Sequence, residues 1–200
     1  MNQISIGNDI VDLEEQGSVL HTRFIERVCT PYEKRQIAEN RSSIWLHWAA
    51  KEAAYKAVKR LSPEVVFSPI SFEYRSQEAV VFFGKISLPC RVVSSVEFTY
   101  VICATSREIL QEVELATWMG ECSMHETSEI GASEAVRVLA VNRIAEFLNI
   151  KPQHLEISRS RVRSIPALYV HGQKTNDLLS FSHHGRFVLC SFLANTYPAT

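Results

Sequence analysis

A carboxylate beside an ammonium group can hold a divalent cation and a phosphate together, and this chain offers that pairing on one helical segment. In Trp48-Ala49-Ala50-Lys51-Glu52-Ala53-Ala54-Tyr55-Lys56-Ala57, Glu52 and Lys56 stand four residues apart, hence on one face, with Lys51 adjacent. A solvated i,i+4 ion pair is the ordinary reading of such spacing. The surrounding alanines and aromatics suit burial instead, and a buried charge needs a partner or a metal. Magnesium takes few protein carboxylates and fills its octahedral shell with water and substrate phosphates. A second carboxylate is available in Ile6-Gly7-Asn8-Asp9-Ile10-Val11-Asp12, where Asp9 follows a glycine towards the end of an apolar strand. Alone, it would read as a turn aspartate that satisfies backbone N–H groups. The third constellation is Leu179-Ser180-Phe181-Ser182-His183-His184-Gly185-Arg186-Phe187. A hydroxyl, an imidazole and an arginine gathered at a hairpin make an anion site. A Ser/His hydrolase pair is disfavoured, because neighbours on a strand point to opposite faces.

The elements that must position these groups follow a mixed pattern. An apolar strand spans Ile4 to Val11. Thr30-Pro31-Tyr32-Glu33 has the form of a capping box with proline at the first helical position, and predicts a helix towards Asn40. An alanine-rich helix runs from Ile44 to Lys59 and ends at Leu61-Ser62-Pro63. β-type runs follow at Ile70–Tyr74, Ala79–Phe83, Ile86–Val93 and Phe98–Ala104. Glu108 to Met119 is a further helix candidate, and Gly120 to Gly131 is a polar connector. The second half repeats the layout. A helix over Glu134–Leu148 precedes strands at Leu155–Ser158, Ala167–Val170, Leu178–Ser182 and Phe187–Leu193. The expected architecture is therefore α+β, with two similar helix-plus-antiparallel-sheet halves, 1–118 and 119–200, packed as a pseudo-twofold pair.

Composition narrows the function classes. Of 200 residues, 46% are hydrophobic and 22% charged, enough to build a core rather than a disordered chain. A net charge of -1 argues against a nucleic-acid binder that relies on a broad basic surface, yet allows a local basic pocket. Five scattered cysteines without a C-x-x-C pair make a disulfide framework or zinc site unexpected. The first residues lack the basic and apolar regions of a secretory signal, and no apolar run reaches the length of a membrane span. These features predict a soluble, cytoplasmic protein that binds no nucleic acid and no membrane.

Taken together, the motifs resemble those of the phosphopantetheinyl transferases. The first half is similar to the small holo-acyl-carrier-protein synthases, whose G-x-D-I-V-[ED] is matched by Gly7 to Asp12. Their F-x-x-R-[IV]-x-T-x-x-E is matched by Phe24 to Glu33, and their A-A-K-E-A-x-x-K-A by Ala49 to Ala57. Each motif alone is weak; three in order and spacing are specific. The second half resembles the first half of the larger surfactin-synthetase-type transferases. Glu134-Ala135-Val136-Arg137-Val138-Leu139 resembles their arginine-bearing helix, and Ser180 to Cys190 their S-[IFL]-S-H hairpin. Ser164-Ile165-Pro166 stands where that type has G-[KR]-P, so the basic residue is missing, while Arg159, Arg161 and Arg163 alternate just before it. Val93-Ser94-Ser95-Val96 lacks the histidine of the small synthases' S-I-[ST]-H, and the second half has no counterpart of Asp9 or Glu52.

The resemblance implies transfer of the 4′-phosphopantetheine arm of coenzyme A to a serine of an apo acyl carrier protein, releasing 3′,5′-adenosine bisphosphate. It implies a magnesium ion, with manganese an acceptable substitute, held by Asp9 and Glu52. Lys56, with Lys51, would neutralise the bridging phosphate charge, giving Asp9, Glu52 and Lys56 the catalytic roles. Arg137, Ser182 and His183 would contact the nucleotide phosphates, and Pro166 the adenine. The base is either Glu52 or a metal-bound water, for which Val11 leaves room where the larger type has a glutamate. Because both parts of the site lie in one chain, a monomer is expected. A non-catalytic homologue that binds carrier protein or coenzyme A is the alternative, and another magnesium-dependent phosphoryl transferase is a third.

Overall fold

The structure, a computed structural model, describes residues 3–15, 22–122, 129–159 and 165–194. The first strand, β1 (Ile6–Asp12), is followed by three helices: α1 (Thr22–Val28), α2 (Pro31–Glu39) and α3 (Ile44–Leu61). Four strands then form a meander: β2 (Phe72–Arg75), β3 (Val80–Phe83), β4 (Ile86–Ser94) and β5 (Phe98–Ala104). β5 returns to pair with β1, which gives an antiparallel sheet in the order β1-β5-β4-β3-β2. After the short α4 (Arg107–Gln111) come β6 (Leu115–Glu121), α5 (Glu129–Leu148), β7 (Leu155–Arg159) and β8 (Pro166–Val170). The two-residue β9 (Gln173–Lys174), β10 (Leu178–His184) and β11 (Phe187–Leu193) complete the described chain. Two further antiparallel sheets result, β10-β11-β6 and β7-β8-β9. In each half the last strand is flanked by the half's first strand and its penultimate one: β1-β5-β4 at one edge of the five-stranded sheet, and β6-β11-β10. No helix is long and apolar enough to cross a membrane among the described residues.

Every residue of β1 and of β11 is buried, so neither strand has a solvent face. The two-residue period of a strand explains how. On β1, Gly7, Asp9 and Val11 face α3, where Val11 packs with Ala49, Ala53 and Ala57. Its alternate residues face the second half. Ile6 packs with Leu115 and Leu193, and Ile10 with Phe187 and Leu189. Between them, Asn8 donates its N–H to Ser180 Oγ at 2.9 Å and its side-chain amide to Ser180 O at 3.0 Å and Ser191 Oγ at 2.9 Å. On β11, Val188, Cys190 and Phe192 turn away to join Val136, Ala140 and Ile144 of α5. The edge strand β1 therefore lies between α3 on one side and β10 and β11 on the other, with α5 packed behind β11. Gly7 permits the closest approach, since a Cβ there would lie 2.1 Å from Ala53 O and 2.7 Å from Ala57 N.

The sequence reading and the structure part at residues 108–119. Only Arg107–Gln111 is helical; Leu115–Glu121 is β6, paired with β11 along its length. The division expected between 118 and 119 thus falls inside a strand of the second sheet. Residues 123–128 of the expected connector lie outside the described residues. The helix α1 was not anticipated. The capping box is present as expected: Glu33 N–H donates to Thr30 Oγ1 and Thr30 N–H to Glu33 Oε2.

Candidate active site

Trp48, Glu52 and Lys56 follow one another at four-residue intervals on α3, and together they line one wall of a cleft of about 350 Å³. The alanines between them (Ala49, Ala50, Ala53, Ala54, Ala57) are turned into the core, which fixes how the helix is rotated. Asp9 and Ile10 of β1 form the floor. The opposite wall belongs to the second half: Phe181, Ser182, His183 and His184 of β10, with Ser133 and Val136 of α5. Residues more than 120 positions apart therefore meet across one opening.

Electrostatics separate the roles of these groups. Lys56 donates to Asp9 Oδ1 at 2.8 Å and to Asn8 O at 2.9 Å, which ties the ammonium group to the strand. Burial raises the pKa of Asp9, partly offset by the charge and hydrogen bond of Lys56. The Glu52 carboxyl is pushed up to about 7, first by burial and then by the neighbouring charge of Asp9, with Lys56 opposing. Two buried carboxylates lining one cleft are hard oxygen donors suited to a divalent cation, which would offset the burial of both. Hard carboxylate oxygens of this kind suit magnesium, which takes few protein ligands, although among the described residues no group of three or more His, Cys, Asp or Glu is gathered as a metal site. Val11, two residues beyond Asp9, is buried against the α3 alanines and supplies no third carboxylate.

The far wall offers donors to an anion. Ser182 is 5% exposed, and its Oγ has no hydrogen-bond partner among the described residues. A buried hydroxyl left unsatisfied at the edge of a cleft is a ligand-facing group, since orphaned polar atoms are rare in packed interiors. Arg137 stands one helical turn from Ser133, and its guanidinium donates to Ser133 O at 3.1 Å. It lines a neighbouring cleft of about 380 Å³ with Glu134, Val138, Val141, Asn142 and Ile157.

The structure thus brings Asp9, Glu52, Lys56, Ser182 and His183 together, with Arg137 close by. Lys51 does not join them. It is fully buried and donates to Val28 O at 2.6 Å, Glu33 Oε2 at 2.6 Å and Pro69 O at 3.0 Å. All three ammonium protons are committed to the protein, so Lys51 has none for a phosphate. Pro166 opens β8 opposite Arg159 and lines neither of the two clefts. Arg161, Arg163 and Ser164 lie outside the described residues. Ser133, Val136, Phe181 and His184 were not singled out beforehand. For Phe181 and His184 the signal was present, since both flank Ser182-His183 in the hairpin motif.

The comparison with protein families agrees with this arrangement over half of it. Residues 5–102, which contain Asp9, Glu52 and Lys56, match the family model described as the 4′-phosphopantetheinyl transferase superfamily. No curated protein matches the chain.

Proposed function

Since the chain belongs, through residues 5–102, to the 4′-phosphopantetheinyl transferase superfamily, we propose that it transfers the 4′-phosphopantetheine arm of coenzyme A to a serine of an apo acyl carrier protein. The observation that carries this reading is the convergence of Asp9, Glu52 and Lys56 from one half with Ser182 and His183 from the other on a single cleft. Such a cleft suits a ligand with an anionic nucleotide at one end and a reacting phosphate at the other. Magnesium bound by Asp9 and Glu52 would supply charge neutralisation and Lewis acidity at the pyrophosphate.

The chain's own residues do the rest. Ser182 and His183, with Arg137 behind Ser133, hold the nucleotide phosphates. Lys56, anchored on Asp9, presents its ammonium to the phosphoryl group under attack. The carrier serine Oγ attacks the β-phosphorus as the bond from that phosphorus to the bridging oxygen breaks. A phosphodiester forms and 3′,5′-adenosine bisphosphate leaves. Glu52, or a water that it orients, accepts the hydroxyl proton. Positioning and electrostatic stabilisation account for most of the acceleration, as in other phosphoryl transfers.

The repeated strand order, β1-β5-β4 and β6-β11-β10, supports reading the two halves as a pseudo-twofold pair with the site between them. A complete site then needs one chain, and the protein acts as a monomer of 22.7 kDa. The test is direct. Incubation with apo-carrier, coenzyme A and magnesium should add about 340 Da to the carrier, read by intact mass. An unmodified carrier, with binding retained, would leave a non-catalytic partner in its place.

A further inference from the structure

Asp12 lies at the end of β1, three residues beyond Asp9 and on the opposite face of the strand, the face that Asn8 and Ile10 present to the second half. It is 3% exposed. One carboxylate oxygen, Oδ1, accepts the Glu14 N–H at 3.0 Å, and the other, Oδ2, accepts the Arg186 N–H at 3.2 Å. The backbone N–H of Asp12 is directed at His184 Nδ1, 3.2 Å away. Gly185, between those two residues, has φ +53°. A Cβ at Gly185 would lie 2.5 Å from Asp12 Oδ2, so only glycine lets the turn close over the carboxylate. The turn His184-Gly185-Arg186 is thereby wrapped around one buried side chain of the other half.

That turn closes the hairpin whose first strand carries Ser182 and His183. The strand carrying Asp9 is pinned to the same hairpin at Asn8, through Ser180 and Ser191, and next at Asp12. Besides a contact of the Arg186 guanidinium with Asp12 Oδ2 at 4.0 Å, the ion pairs at this end run from Arg186 to Glu14 and to Glu97 (2.9 Å) and from His184 to Glu15 (3.5 Å), with all three glutamates more than half exposed. Exposed ion pairs of that kind hold little on their own. We propose that Asp12 is a positioning residue that sets the span between Ser182/His183 and Asp9/Glu52, and hence the fit of a ligand that must touch both. This rests on the transfer reading above. A misplacement near 1 Å can cost about 100-fold in rate, so a latch at the cleft's edge acts without touching substrate.

The test uses full-length Asp12→Ala, Asp12→Asn and Gly185→Ala. Asp12→Ala should raise the KM for coenzyme A by about tenfold or more, because that ligand spans both walls. The affinity for 3′,5′-adenosine bisphosphate, which engages the second half, should stay within about twofold of wild type. Asp12→Asn keeps an oxygen for the Arg186 N–H and should recover most of the loss. Gly185→Ala should reproduce the loss with every charge in place, and these two variants carry the test if Asp12→Ala does not fold. Amide exchange over residues 182–187 should quicken about tenfold in Asp12→Ala while α3 is unchanged. That readout needs no activity, so it still judges the latch if the wild-type protein modifies no carrier. Unchanged exchange in that segment, or parallel loss of coenzyme A and bisphosphate affinity, would overturn the proposal.

Discussion

Glu52 ionises reluctantly, because burial and the neighbouring Asp9 charge both disfavour its carboxylate. Its ordinary value of 4.5 is pushed up to about 7, so the folded protein holds this proton more tightly than the unfolded chain does. The sign follows. Below about pH 4.5 both states are protonated and nothing is lost. Between 4.5 and 7 the unfolded chain releases the proton first, so stability falls as pH rises, by about 3 kcal/mol in all. Glu52→Gln should therefore stabilise the metal-free protein by about 3 kcal/mol at pH 8 and leave it unchanged at pH 4, read by urea unfolding. The same variant should lower transfer by at least ~10²-fold, since it removes a ligand for the cation and a proton acceptor. Equal stability at pH 8 would refute the burial argument; wild-type turnover in excess chelator would refute the magnesium one. Ser182 gives the complementary case. Its Oγ bonds to nothing among the described residues, so Ser182→Ala should change stability by no more than about 0.5 kcal/mol. The KM for coenzyme A should nevertheless rise about tenfold, the worth of one hydrogen bond to a charged phosphate. A large loss of stability with unchanged KM would make the hydroxyl a packing group.

The helix α3 shows what could be read beforehand at the level of elements and what could not. Its stripe Trp48-Glu52-Lys56 follows from helical geometry alone, and the cleft bears it out. Lys51, one residue from Glu52, was expected to serve the phosphates. Its true partner is Glu33, whose carboxylate also accepts the Thr30 and Tyr74 N–H groups. The local motif announces the capping role of Glu33 but not its second role, because the 18-residue separation is closed only by tertiary packing. The same cause hid β6. Leu115-Ala116-Thr117-Trp118-Met119 is rich in helix formers, and only pairing with β11, some 70 residues later, makes it a strand. If Lys51 is a structural cation, Lys51→Ala should destabilise the protein by about 3–5 kcal/mol by stranding the buried Glu33 carboxylate. Thermal unfolding would show it. A well-folded variant that has lost only coenzyme A affinity would return Lys51 to the site.

At the scale of the whole molecule, the question is whether both walls of the cleft come from one chain. The distances across it are intramolecular here, from Asn8 to Ser180 and from Asp12 to Arg186. Mixing a Glu52→Gln variant with a His183→Ala variant should therefore leave both inactive, since neither holds an intact pair. Recovered activity would mean that sites are shared between subunits, and the pseudo-dimer reading would fall. Sedimentation should accordingly find an active monomer. The doubly covered β1 has one more consequence, in the order of folding. Its partner strand β5 lies about 90 residues downstream and its other cover, β10 and β11, about 170. During synthesis Ile6 and Ile10 are made well before the surface that shields them, which follows some 170 residues later. While those residues are being added the apolar strand stays uncovered, a natural substrate for chaperones that bind extended segments.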